Sequence, residues 1–184
     1  MKSFLAFIWE IAKIVIIALL VVLPIRYLVF QPFFVKGDSL EPNFSDGDYL
    51  IIDEISYRFR DPQRGEVIVF KYPNDPSQRY IKRIIGLPGE TVEIKDGQVM
   101  VYRQGEEKAG EALDESDYLS SAVSTSGNLN LTLQEKEYFV LGDNRPVSSD
   151  SRRWGTLPRE NIIGRVLARL WPFVAFAKIE APSY

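Results

Sequence analysis

The stretch "TVEIKDGQVMVYR" occupies residues 91–103. Its arms are rich in Val, Ile and Tyr, residue types that suit a pleated, half-buried surface. Between them sits Asp96-Gly97. An Asp-Gly pair readily takes the positive φ angles of a tight primed turn, so the stretch predicts a β-hairpin. Outward from it, "YLIIDEI" (49–55), "GEVIVFKY" (65–72), "RYIKRII" (79–85), "EYFVLG" (137–142) and "IIGRVLARLW" (162–171) have the same character. Turn residues separate them, as in "GLPGE" (86–90). No helical segments of βαβ length alternate with these runs. The sequence therefore predicts a mainly β fold, a barrel or a sandwich.

Two regions break the pattern. Residues 105–136 are acidic at first and then rich in Ser and Gly, and a variable surface loop or partly disordered insertion is expected there. Near the amino terminus, "IVIIALLVVLPI" (14–25) continues past Arg26 into "YLVF" (27–30), with "FLAFIWEIA" (4–12) ahead of it. A bilayer core takes ~20 mostly apolar residues. One tilted transmembrane helix over about residues 7–30 is expected, with Lys13 and Arg26 reaching towards opposite interfaces. A cleaved signal peptide needs small residues at its cut, whereas "IRYLVFQPFFVKG" offers bulky ones, so the segment reads as a retained anchor. A buried core helix is the competing reading. Positive charges flanking the segment are nearly balanced, with a slight lean towards an inside amino terminus. The expected organisation is an anchor over 1–32 and a β-rich domain over 33–184. In "LWPFVAF" (170–176), Trp171 and Phe173 are expected to pack into the core.

Composition narrows the chemistry. The 184 residues carry a net charge of -3, which gives no basic footprint for nucleic acid. There is no Cys and no His. Thiol catalysis, disulfides and thiolate-bound metals are thereby excluded, as are the commonest general base and the usual catalytic zinc ligands. Ser, Thr, Lys, Tyr, Asp and Glu remain.

Without imidazole, a serine can be activated by a lysine, provided that burial keeps the amine neutral. Lys82 in "RYIKRIIGLPGE" lies on an apolar strand. Lys71 and Lys95 are comparable strand lysines, and any of the three can simply point to water. Ser39 in "GDSLEP" reads either as turn chemistry before Pro42 or as a nucleophile held near the membrane, nine residues past Phe30. "LGDNRPVSSDSRRWG" (141–155) is the densest polar constellation, either a solvated loop or a rigid one braced by Arg–carboxylate pairs.

Taken in order behind an apolar segment, these three pieces resemble the type I signal peptidases. "GDSLEP" resembles the nucleophile motif S-M-x-P-T. "YIKRIIGLPGE" matches K-R-x-x-G-x-P-G-[DE], and "GDNRPVSSDSRRWG" resembles G-D-N-x-x-x-S-x-D-S-R-x-x-G. The resemblance covers all but residues 105–136. It implies that Ser39 is the nucleophile, Lys82 the general base and Ser148 the group that orients the Lys82 amine. It also implies an oxyanion hole at the Ser39 N–H. Some members place a serine hydroxyl two residues before the nucleophile, and Gly37 stands there in this chain. Leu40, Tyr80 and Ile81 are expected as apolar pocket walls, and Arg83, Asp143, Asp150 and Arg152 as braces of the site. Departures are Leu40 for Met, Asn43 for Thr and Pro146-Val147 for Asp-Asn.

The implied activity is removal of signal peptides from secreted preproteins through an acyl-enzyme. No cofactor or metal is implied. The implied partners are those signal peptides, bound as extended strands, and the lipid bilayer. A monomer is expected, in the cytoplasmic membrane, with the amino terminus inside and the catalytic domain on the outer face. Another Ser-Lys peptidase of the same fold and a non-catalytic membrane-tethered adaptor are the alternatives.

Overall fold

A computed structural model describes residues 2–28, 30–103, 110–172, 177–179 and 181–182. Within these, the side chains of residues 2, 3, 5, 21–28, 30–32, 177 and 178 lie outside what it describes. The chain opens with helix α1 (Lys2–Leu28) and then turns almost entirely to strands. These are β1 (Phe30–Phe34), β2 (Tyr49–Asp53), β3 (Val67–Tyr72), β4 (Asp75–Gly86), β5 (Thr91–Lys95), β6 (Gln98–Tyr102), β7 (Glu111–Ala112), β8 (Leu129–Thr132), β9 (Glu137–Leu141), β10 (Leu157–Pro158), β11 (Ile162–Trp171) and β12 (Ala177–Lys178). A one-turn helix, α2 (Ser151–Trp154), precedes β10.

The predicted hairpin is present as β5 and β6, paired from Thr91↔Tyr102 to Lys95↔Gln98. Asp96 and Gly97 both have positive φ, 51° and 83°, as a primed turn requires. This hairpin anchors a four-stranded sheet in the order β7-β6-β5-β8. The larger sheet runs β1-β2-β11-β3-β4-β9-β10, with β12 attached to β11. All described pairings are antiparallel. The path of the large sheet does not return on itself, so the described strands form two sheets and no closed barrel.

Three apolar clusters hold the sheets. Along β3, Val67 and Val69 join Leu40, Phe44, Leu50, Ile81 and Val166 on one side. Ile68 and Phe70 join Ile84, Tyr138, Val140 and Leu157 on the other. Side chains alternate across a strand, so a central strand covered on both faces reads as a continuous apolar run, as "VIVF" does. A third cluster sets Ile85, Phe139 and Leu141 of the large sheet against Val92, Ile94, Val99 and Leu133. It welds the hairpin sheet to the strand that carries Lys82.

Several expectations are corrected. The helix ends at Leu28, and Phe30 already belongs to β1. Among the described residues, no helix is long and apolar enough to cross a membrane. Residues 110–136 are not a loose loop: they contain β7 and β8, and Tyr118, Leu119, Thr125 and Leu133 are buried. Trp171 is 54% exposed and does not fill the core. It ends the strand β11, where residue alternation and two register shifts turn it outward. Phe173 lies outside the described residues.

Candidate active site

Ser39 sits on the loop between β1 and β2. Leu40 and Phe44, each 1% exposed, drop from that loop into the first core cluster. Burying two such side chains contributes roughly 1.5–3 kcal/mol apiece, and it fixes the turn that displays Ser39. Leu40 is thus a core anchor and not a pocket wall, because the residue after Ser39 points inward. The loop is closed at its neck by Val35 N–H to Asp48 O (2.9 Å) and Gly47 N–H to Val35 O (3.0 Å). Higher up, the Gly37 N–H donates to Asp46 Oδ1 at 2.7 Å. Gly37 adopts a φ of +82°, a conformation that only glycine takes without strain. Its N–H is therefore engaged by a carboxylate. The Ser39 N–H has no intramolecular acceptor among the described residues.

Lys82 comes from the middle of β4 and is 4% exposed. Its Nζ lies 2.6 Å from Ser39 Oγ and donates to the Ile81 carbonyl at 2.9 Å. The Tyr80 ring centre is 5.8 Å from Nζ. Burial pushes the Lys82 amine down to about 8, against the opposing pull of the Asp150 and Asp143 carboxylates. A lysine so placed is roughly one-tenth neutral at pH 7, far more than an ordinary surface lysine.

Those two carboxylates are each held by an arginine. Arg83 Nε and Nη2 donate to Asp143 Oδ1 and Oδ2 at 2.9 and 2.7 Å, while Arg83 Nη1 donates to the Gly65 carbonyl at 2.9 Å. Arg152 Nε and Nη2 donate to Asp150 Oδ1 and Oδ2, both at 2.8 Å. Asp150 also accepts the Gly142 N–H and caps α2 through the Arg152 N–H. Burial opposes ionisation of Asp150, but the Arg152 guanidinium outweighs it and holds the carboxyl below its usual range. Paired in this way, the acids pull less on the Lys82 proton than bare carboxylates would.

Ser148 is 1% exposed, and among the described residues its hydroxyl has no hydrogen-bond partner. It lies beside Gly142, where an added Cβ would fall 2.2 Å from Ser148 Oγ and 2.4 Å from the Ser39 carbonyl. No Ser148–Lys82 hydrogen bond is formed in this structure. Its dipole lies near enough to Asp150 to favour the ionised acid.

Four functional neighbours escaped the sequence reading. Asn144 binds the nucleophile loop twice, by its N–H to the Ser39 carbonyl (3.1 Å) and by its side-chain amide to the Asp38 carbonyl (3.0 Å). Asn43 donates to Asp143 Oδ2 and to the Tyr118 carbonyl, both at 2.8 Å. Arg145 is 1% exposed and joins the Gly142 carbonyl to Glu115 and Thr125. Glu115 in turn ties residues 110–136 to the site. Arg145 and Asn144 stand in the polar constellation already singled out and Asn43 is the departure from Thr in the nucleophile motif, whereas nothing local marks Glu115.

A groove of about 760 Å³ runs past Ser39 and Lys82. Tyr80 and Ile81 line it as expected, together with Phe33, Phe34 and Val147. Its walls are two strand edges. Among the described residues β1 pairs only with β2, and β4 pairs with β3 from Asp75 onward but with β9 only from Arg83. The β4 edge before Arg83 thus has unpaired backbone groups, which an extended peptide can complete.

The profile of the family "Signal peptidase, peptidase S26" matches residues 8–171. A probable signal peptidase I-1 from Synechocystis sp. is 38% identical over 174 residues, covering 90% of this chain and 84% of that protein. Signal peptidase I from Leptolyngbya laminosa is 36% identical over 181 residues, covering 94% and 84%. A crystal structure of a signal peptidase I from Enterococcus faecalis V583 is 34% identical and aligns with 58% of this chain and 97% of its own, at a TM-score of 0.46. With the match spanning almost the whole described chain, and with relatives alike over most of both lengths, the chain belongs to the signal peptidase family, peptidase S26.

Proposed function

We propose that this chain is a membrane-anchored serine endopeptidase that removes signal peptides from exported proteins, with Ser39 as nucleophile and Lys82 as general base. The observation that carries the roles is the 2.6 Å separation of Ser39 Oγ from a buried Lys82 Nζ whose proton affinity is lowered. Neutral Lys82 takes the Ser39 proton as Oγ attacks the scissile carbonyl carbon. The Ser39 N–H stabilises the developing oxyanion. Protonated Lys82 hands the proton to the leaving amine, which releases the mature protein and leaves an acyl-enzyme. Water, deprotonated by Lys82, then frees the signal peptide. Ser148, whose buried hydroxyl has no hydrogen-bond partner among the described residues, is assigned the orientation of the amine. Arg83, Asp143, Asp150 and Arg152 brace the loop, and Tyr80 and Ile81 meet the substrate.

The substrate is read as an extended strand lying between the edges of β1 and β4. The described side chains of α1 support the anchor: Phe7, Ile8, Trp9, Ile11, Ile14, Val15, Ile16, Ile17, Leu19 and Leu20 are all exposed, on every face of the helix. A helix so largely apolar, broken in this stretch by Glu10 and Lys13, favours an apolar environment. On this reading the chain is assigned to the cytoplasmic membrane, with the β domain on the outer face.

Incubation of the detergent-solubilised chain with an exported preprotein tests the reading. Cleavage at the signal-peptide junction is expected, and Ser39→Ala or Lys82→Met should lower it at least ~10³-fold. Cleavage that persists in either variant would overturn the assignment.

A further inference from the structure

We infer that Lys36 and Arg79 make this peptidase selective for substrates carrying a carboxylate within about three residues of the scissile bond. The inference rests on the groove being the substrate site proposed above. Lys36 lies three residues before Ser39 on one wall, and Arg79 lies three residues before Lys82 on the other; both line the groove. Ser39 and Lys82 touch. At ~3.3 Å per extended residue, the backbone of each cationic residue is at most about 10 Å of chain from its catalytic neighbour.

Both side chains are exposed, and neither forms an ion pair among the described residues. Most other arginines of the β domain do: Arg60, Arg64, Arg83, Arg103, Arg145, Arg152, Arg165 and Arg169 all have carboxylate partners. Glu54 lies close enough to feel Arg79 and Arg58, but it does not bond Arg79. Among the groove residues the single acid is Asp38. Lys36 and Arg79 thus outnumber Asp38 among the groove residues, with Glu54 beside Arg79 offsetting part of that excess, on a chain whose net charge is -3. A cleft lined by one sign of charge concentrates the opposite sign. The remaining lining, Phe33, Phe34, Tyr80, Ile81 and Val147, is apolar. A substrate that is apolar near the cut and acidic just beyond it satisfies both.

The distance limits where the carboxylate can sit. An extended peptide in the groove passes Lys36 and Arg79 within three residues of the carbonyl at Ser39, on one side of the cut or on both. A lysine at the same substrate position would meet two cations and be disfavoured. The contacts are solvent-exposed, so each is worth at most about a five-fold factor, and salt should weaken them, because the screening length is ~10 Å at 0.1 M.

The test uses the full chain in neutral detergent and a set of quenched fluorescent peptides sharing one cleavable sequence. A single Glu, Gln or Lys is walked through the three positions on each side of the cut. For the unaltered chain, kcat/KM with Glu should exceed that with Lys about five- to twenty-fold at one or more positions, and the ratio should shrink between 0.05 and 0.5 M salt. Lys36→Glu/Arg79→Glu should invert the ratio, and each single Gln substitution should lower it. A ratio near one at every position overturns the inference, as does a ratio that the double reversal leaves unchanged. So does an equal loss on all peptides. If the ratio is flat while the double reversal weakens binding to phosphatidylglycerol vesicles, the cations face lipid headgroups instead. Failure of the unaltered chain to cut even the Gln peptides would count against the peptidase reading itself, and is thereby distinguished from failure of the charge selectivity.

Discussion

At the scale of single residues, the site turns on how Lys82 stays neutral. Its amine is buried and pushed down to about 8, so the active form of the base accumulates as pH rises through that value. The pH profile of kcat/KM should therefore climb to a plateau with an apparent pKa near 8, well below an ordinary lysine. The same burial bears on stability. Between about pH 8 and 10.5 the folded chain binds fewer protons than the unfolded chain. The stability from this group is complete above 10.5 and is lost as pH falls through about 8. Lys82→Met removes that liability. It should raise the midpoint of urea unfolding at pH 7, by on the order of 1–3 kcal/mol, while abolishing cleavage. A variant that is inactive and also less stable at pH 7 would show that the amine's contacts to Ser39 and Ile81 outweigh its desolvation. Gly37 stands differently from the expectation. Its N–H is held by Asp46, so in this state the Ser39 N–H is the donor left for an oxyanion, and substrate must supply or induce the rest.

Among the elements, the segment before β9 has the largest consequence. By composition, residues 105–136 read as a variable surface loop or partly disordered insertion. In the structure, residues 110–136 deliver Glu115 to a fully buried Arg145 and lay Tyr118 4.0 Å from the Arg83 guanidinium, ring centre to carbon. Glu115→Ala leaves Arg145 buried without its main counter-charge. Removing one partner of such a pair costs about 3–5 kcal/mol. The loss should appear in urea unfolding, with kcat falling more than KM rises, because the Gly142–Ser148 turn loosens while the groove walls remain. Stability unchanged within 1 kcal/mol would mean that the pair is solvated in solution. The contrast with the hairpin explains what the sequence could reveal. The β5–β6 turn is encoded by neighbours, Asp96 and Gly97, so it could be read from four letters. The strand runs and the Ser39, Lys82 and Ser148 motifs are likewise local. By contrast, the pairing of β8 with β5, the Glu115–Arg145 bond and the Asn43–Asp143 bond join residues 30 or more apart. No local pattern encodes such partners. Leu40 was misplaced for a related reason: sequence adjacency to Ser39 suggested a pocket, but the residue that follows an exposed nucleophile in a tight loop faces the core.

For the molecule as a whole, the remaining question is what α1 does for a site that is complete without it. Every group named around Ser39 and Lys82 lies after residue 32, so chemistry does not need the helix. Its 27 residues measure about 40 Å at 1.5 Å each, against ~30 Å for a bilayer core. The apolar run 14–25 alone measures only about 18 Å. On the proposed anchoring role the apolar stretch must extend past this run, because Lys13, paired with Glu10 at 3.7 Å, and Arg26 are separated by only about 20 Å of helix. Each Leu, Ile or Val at a membrane-helix centre contributes roughly 0.3–0.6 kcal/mol, so the ten in this run would supply several kcal/mol to the proposed anchor. Moving a charge to the middle of the run tests this, since an arginine at a helix centre costs about 2.5–3.5 kcal/mol. Leu19→Arg/Leu20→Arg should release the chain from membranes into a carbonate-soluble fraction, while cleavage of a soluble peptide in detergent persists. Retention of the double variant in the membrane pellet would shift the anchoring role to the exposed apolar residues of the β domain, Phe34 and Trp171 first among them. Loss of peptide cleavage along with release would instead show that α1 shapes the groove through β1, to which it is directly joined.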